Sequence, residues 1–176
     1  YKSATVSGNP AGYPSEFTLY KLSGGTPIDP TDPVDPTDPT EPEEPVLSAG
    51  DHVVIYNPAN GKALSTSYTG FYNKGTDVTL SGGVLSGFPA SDVWTVGGDG
   101  NYTFSTADGK KLSMGAEYTS TPLDDVNTGW KVLPAATEGC YYIQNAVRGN
   151  YLEWYGAKDN WSSYTRVTDE ALFAQA

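Results

Sequence analysis

Val53-Val54-Ile55-Tyr56-Asn57, followed by Gly61-Lys62-Ala63-Leu64, is the stretch that decides the architecture, because its pattern returns twice. The second copy is Tyr102-Thr103-Phe104 leading to Gly109-Lys110-Lys111-Leu112, and the third is Tyr141-Tyr142-Ile143 leading to Gly149-Asn150-Tyr151-Leu152. Each copy is an apolar strand, a glycine turn and a second strand. The leucines fall 48 and then 40 residues apart, and a Trp-x-Val strand, Trp94-Thr95-Val96 or Trp130-Lys131-Val132, precedes the second and third hairpins. A hairpin cannot bury its own apolar face, so three copies must share one interior.

Composition agrees. The 176 residues are 38% hydrophobic, enough for one core, and 13 Tyr, 4 Trp and 5 Phe beside 20 Gly favour half-buried pleated surfaces joined by tight turns. Ten basic against 21 acidic side chains leave a formal charge of −11, which repels phosphate backbones and anionic lipid. Nucleic acid is therefore excluded as a partner, and no run approaches the roughly 18 apolar residues that membrane insertion needs. Cys140 stands alone, so no internal disulfide forms and stability must come from packing.

Ahead of the repeats the composition changes sharply. Residues 23–46 carry a Pro-Thr-Asp pattern, Asp29-Pro30-Thr31-Asp32-Pro33 running on to Glu43-Glu44-Pro45, with almost nothing to bury. Proline fixes φ and the carboxylates repel one another, so a solvated, extended spacer on the order of 70 Å long is expected. It resembles the linkers that join domains of exported enzymes and surface proteins of Gram-positive bacteria.

The threefold pattern resembles the β-trefoil, the pseudo-threefold closed barrel of ricin-type lectins and related modules. The resemblance covers residues 47–176 and implies an all-β barrel. The Gln-x-Trp signature of ricin-type repeats is absent, so no sugar-binding residue carries over. The strings Val54-Ile55-Tyr56-Asn57-Pro58-Ala59-Asn60-Gly61-Lys62-Ala63-Leu64 and Tyr151-Leu152-Glu153-Trp154-Tyr155 with Asn160-Trp161-Ser162 are similar to repeat modules attached to secreted clostridial nucleases and phosphoesterases. That resemblance implies an accessory module of a secreted or cell-surface bacterial protein.

After Leu152 no Trp-x-Val strand follows, so the third repeat is expected to lack its closing strand. Glu16-Phe17-Thr18-Leu19-Tyr20-Lys21-Leu22 alternates in the right way to supply one, with Phe17 and Leu19 where Trp and Val would stand and Tyr20 beside them. Residues 1–22 accordingly read as the tail of a preceding copy in a tandem array, with 16–22 a donor strand. The donor could close its own domain or that of a neighbour, making other copies or upstream domains a second class of partner and a self-associating structural tandem-repeat module the alternative function, while a fragment boundary set without regard to the strand would leave the tail loose.

No catalytic constellation emerges. His52 is the only histidine and reads as structural, Cys140 lies in an apolar stretch, and no Gly-x-Ser-x-Gly elbow occurs. The acidic pairs Asp124-Asp125 and Glu153 with Asp159 are what an acidic chain produces readily. Asp99-Gly100-Asn101 and Asp108-Gly109 are turn sequences, so neither metal nor cofactor is expected. One cluster stands out: Tyr151, Glu153, Tyr155, Asp159, Asn160, Trp161 and Tyr164, with Tyr72 in the matching loop after Leu64. Aromatic rings stack on the apolar faces of sugars while Asp, Asn and Glu bond hydroxyls, so a glycan is the expected ligand. Alternation puts Leu152 and Trp154 on the core face and Tyr151, Glu153 and Tyr155 outward, whereas Trp161, read as part of a polar loop, is the leading contact residue. Tyr68, Phe71 and Tyr118 occupy related loops, so pseudo-symmetric binding loops are expected.

Overall fold

The structure, a computed structural model, describes residues 47–176. The expectations for the tail 1–22 and the spacer 23–46 lie outside the described residues.

Each repeated turn is built the same way. Asn57 Oδ1 accepts the Asn60 N–H at 3.0 Å, Thr106 Oγ1 accepts the Lys110 N–H at 3.0 Å, and Asn145 Oδ1 accepts the N–H of Arg148 at 3.1 Å. A short polar side chain at this point bonds the backbone two to four residues on and reverses the chain. Gly61, Gly109 and Gly149 then adopt φ of +60°, +82° and +73°, which explains the glycine ahead of each leucine.

The first repeat contains β1 (His52–Val53), β2 (Tyr56–Asn57), β3 (Lys62–Thr69), β4 (Tyr72–Asp77), the small hairpin β5 (Thr79–Ser81) and β6 (Val84–Ser86), and β7 (Trp94–Gly97). The second has β8 (Thr103–Ser105) and β9 (Trp130–Pro134); the third has β10 (Tyr141–Asn145), β11 (Tyr151–Tyr155) and β12 (Asn160–Tyr164), followed by the single helical turn α1 (Glu170–Phe173). One sheet runs β2-β3-β4-β12-β11-β10-β9, a second runs β1-β7-β8, and β5 pairs with β6. The second repeat's leucine hairpin shrinks to a bridge between Leu112 and Leu123.

The pairing register exposes the pseudo-symmetry. Val53 stands across from Trp94, Tyr102 across from Trp130, and Tyr141 across from Gln175. Each tryptophan donates its indole N–H to the carbonyl oxygen of the leucine in its own repeat, Trp94 to Leu64 and Trp130 to Leu112, both at 3.0 Å. Leu64, Leu112 and Leu152 are fully buried, with Ile55, Phe104 and Ile143 packed into the same interior. Burying one such aliphatic side chain stabilises by about 1.5–3 kcal/mol, so the shared core is the main cohesive term.

Two expectations need correction. The third repeat does begin a closing segment, at Gln175-Ala176: Tyr141 and Gln175 exchange backbone hydrogen bonds at 2.6 and 2.9 Å, and Tyr56 and Ala176 do so at 3.1 and 2.9 Å. The sequence hid it because glutamine replaces the tryptophan. Trp161, expected in a loop, lies in β12 directly across from Trp154 and is fully buried.

Candidate functional site

The β11–β12 pairing decides which side chains reach solvent. Glu153 is paired with Ser162 and Tyr151 with Tyr164, while Trp154 pairs with Trp161. Alternation therefore sends Glu153, Tyr155, Ser162 and Tyr164 to one face and both tryptophans to the core. The two indoles meet edge to face at 5.9 Å between centroids. The outward face borders a cleft of about 470 Å³ lined by Tyr72, Thr119, Glu153, Tyr155, Ser162 and Tyr164. Leu172 and Thr168, from the segment around α1, complete its far wall.

Tyr72, Tyr155 and Tyr164 are 37%, 40% and 45% exposed, so their rings are available at the rim. Glu153 is 8% exposed, and burial pushes its carboxyl above the usual glutamate range. It is the one carboxylate lining the cleft among the described residues. Ser162 and Ser163 also line it, and both donate to the Thr119 carbonyl oxygen, at 3.4 and 2.9 Å, which ties the 119–121 segment to β12. At the rim, Phe71 lies 6.4 Å from Tyr72 and, edge to face, 6.4 Å from Tyr118. Phe71 and Tyr118 are 60% and 64% exposed. The aromatic loops expected to form separate pseudo-symmetric sites thus converge in one patch.

The remaining candidates sit elsewhere. Trp161 cannot stack on a ligand, because the core covers its ring and its N–H is bound within the fold. Asp159 occupies the β11–β12 turn at φ +51°, a left-handed conformation that aspartate tolerates, and is held by Lys62 at 3.6 Å. Lys62 also pairs with Asp77 at 2.8 Å and lies 5.3 Å from the Trp154 ring, roofing the indole. Asn160 gives its amide N–H to the Lys158 carbonyl oxygen at 3.2 Å, closing the same turn. Tyr151 packs edge to face on Tyr142 at 6.2 Å and does not line the cleft. Sequence reasoning missed Thr119 and Leu172; nothing in their local sequence announces contact with β12 and β11.

His52 is exposed at the start of β1, with Nδ1 3.3 Å from the Thr95 hydroxyl. Burial raises the Cys140 thiol above its ordinary range. Asp124 accepts from the Val126 N–H at 2.8 Å, and Asp108 pairs with Lys110 at 3.0 Å, so these carboxylates brace turns. No group of three or more potential metal ligands exists among the described residues. No helix among them is long and apolar enough to cross a membrane.

No protein-family model matches the chain, and no curated protein matches its sequence. Solved structures do match in three dimensions. The Polyporus squamosus lectin bound to a human-type influenza-binding epitope superposes with a TM-score of 0.53 at 12% identity, over 74% of this chain and 49% of that one. SeviL bound to asialo-GM1 saccharide gives 0.50 at 19% identity, over 73% and 98%. A GlcNAcα1-4Gal releasing endo-β-galactosidase from Clostridium perfringens gives 0.55 at 13% identity, over 71% of this chain and only 31% of the enzyme. The fold is an all-β fold of the β-trefoil type.

Proposed function

We propose that the chain is a non-catalytic carbohydrate-binding module of a secreted or cell-surface bacterial protein, and that the cleft between β11, β12 and β4 receives the sugar. The observation that carries this reading is three half-exposed tyrosines around one buried carboxylate. Tyrosine rings offer flat apolar faces to the C–H side of a pyranose, while Glu153 and the hydroxyls of Ser162 and Thr119 can bond sugar hydroxyls from below. A glycosidase needs two carboxyl groups about 5–9 Å apart across the scissile bond, and the cleft offers one. Tyrosine faces beside a single carboxylate suit retention on a glycan. The superposition on sugar-bound lectin structures supports the same reading. So does the match to less than a third of the clostridial enzyme, a size relation suited to an accessory module.

A glycan array probed with the intact chain tests it. Binding to a restricted set of glycans is expected, and Tyr164→Ala should abolish it while leaving the melting temperature unchanged. An empty array, or binding indifferent to Tyr155→Ala and Tyr164→Ala alike, would remove the cleft from the account.

A further inference from the structure

Two carboxylates are buried among the described residues, Asp92 and Glu153, and the fold treats them differently. Asp92 accepts hydrogen bonds from the hydroxyls of Ser65, at 3.0 Å, and Thr76, and from the Thr66 N–H at 3.3 Å. No hydrogen bond or ion pair from the described residues reaches the Glu153 carboxylate, and burial is the sole cause of its raised pKa. An ionised group taken out of water without a partner is costly, and a ligand that brings the partner offsets that cost.

The surroundings of Glu153 say what kind of partner fits. Ser162 and Ser163 direct their hydroxyl protons to the Thr119 carbonyl oxygen, which leaves oxygen lone pairs for the cleft. No Lys, Arg or His lines the cleft, and Lys74, on the same face of β4 as Tyr72, stands across from Asn160 and outside the lining. Tyr72, Tyr155 and Tyr164 add ring faces, whose negative quadrupole attracts cations. Acceptors, a buried negative charge and aromatic faces together match a group that carries donors and positive charge.

We infer that the sugar held here is an amino sugar with a free amine, its ammonium group paired with Glu153 and flanked by the tyrosine rings. This rests on the glycan reading and narrows it. A hydroxyl gives Glu153 a hydrogen bond but leaves its charge uncompensated, whereas an ammonium supplies several donors and the opposite charge together. Acetylation of the amine removes that charge and all but one of the donors. An acidic sugar would set two like charges side by side.

The test titrates a β1,4-linked glucosamine tetrasaccharide and its fully N-acetylated counterpart into the full chain at about pH 6, where amines of this kind are protonated. The free-amine sugar should bind at least about tenfold more tightly. Glu153→Gln should erase the preference. Asp99→Asn, which removes the same charge from the exposed turn between β7 and β8, should keep it, and so separates recognition in the cleft from attraction to the chain's net charge of −11. Equal or tighter binding of the N-acetylated sugar would overturn the inference and leave the glycan reading intact. So would a preference that survives Glu153→Gln or falls equally in Asp99→Asn, or binding of neither tetrasaccharide beside an array on which other glycans bind. Binding of neither together with an empty array would overturn the glycan reading as well.

Discussion

Trp161 donates its indole N–H to the carbonyl oxygen of Ala63 at 3.1 Å, joining residues 98 positions apart in the chain. This bond fastens β12 of the third repeat to β3 of the first. Together with the Trp154 contact it makes Trp161 an architectural residue. Trp161→Ala should cost about 3–5 kcal/mol in urea unfolding. Tyr155→Ala, at the exposed rim, should cost within about 0.5 kcal/mol. Equal effects would mean that the β12 register is wrong.

Gly75 is the space that lets Trp154 lie flat. A Cβ built at Gly75 would meet the indole at 2.5 and 2.7 Å, and the ring is hemmed in by Trp161 on one side and the Lys62 stem on another. Gly75→Ala should therefore destabilise by about 1–3 kcal/mol through overpacking. Thermal melts of Gly75→Ala and Gly115→Ala, the latter with open space around its added carbon, give the comparison.

Glu153 gives a pH signature. Burial raises its native-state pKa above the unfolded value of 4.5, so the folded protein binds this proton more tightly than the unfolded chain does. This contribution to stability is full below about pH 4 and is lost as pH rises through the native pKa. Glu153→Gln should then melt higher than the parent at about pH 7 and together with it at about pH 3.5. A lower melting temperature for the glutamine variant at neutral pH would show that the carboxylate is stabilised by partners in the fold.

Glu170 behaves oppositely. Burial alone would raise it, but hydrogen bonds from the Tyr142 hydroxyl and the Thr137 N–H at 2.9 Å outweigh that and hold it below the usual range. Glu170→Gln should lower the melting temperature at neutral pH, with the difference closing as the parent's carboxyl protonates in acid. A gap that stays constant into acid would assign the loss to packing of α1.

The threefold architecture was legible because its marks are local: a glycine forced to positive φ, a turn-closing Asn or Thr, and a leucine three residues on. Alternation along β11 was legible for the same reason and placed Leu152 and Trp154 inside and Tyr155 outside. Trp161 was misplaced because Asn160 and two serines give β12 a polar composition, and only pairing with β11 and β4 shows which side chains turn inward. Gln175 escaped because pseudo-symmetry is carried by backbone register there and not by residue type. Thr119 and Leu172 reach the tyrosine cleft through contacts distant in sequence, which periodicity does not encode.

The cleft itself is tested most directly by isothermal titration of the strongest glycan found on an array into the parent, the Tyr155→Ala/Tyr164→Ala double variant, and Leu80→Ala on the remote β5–β6 hairpin. The predicted result is parental affinity for Leu80→Ala and a loss of at least about tenfold, or about 1.4 kcal/mol, for the double variant, with both still folded. Parental affinity in the double variant would contradict the assignment of the tyrosine cleft as the sugar site.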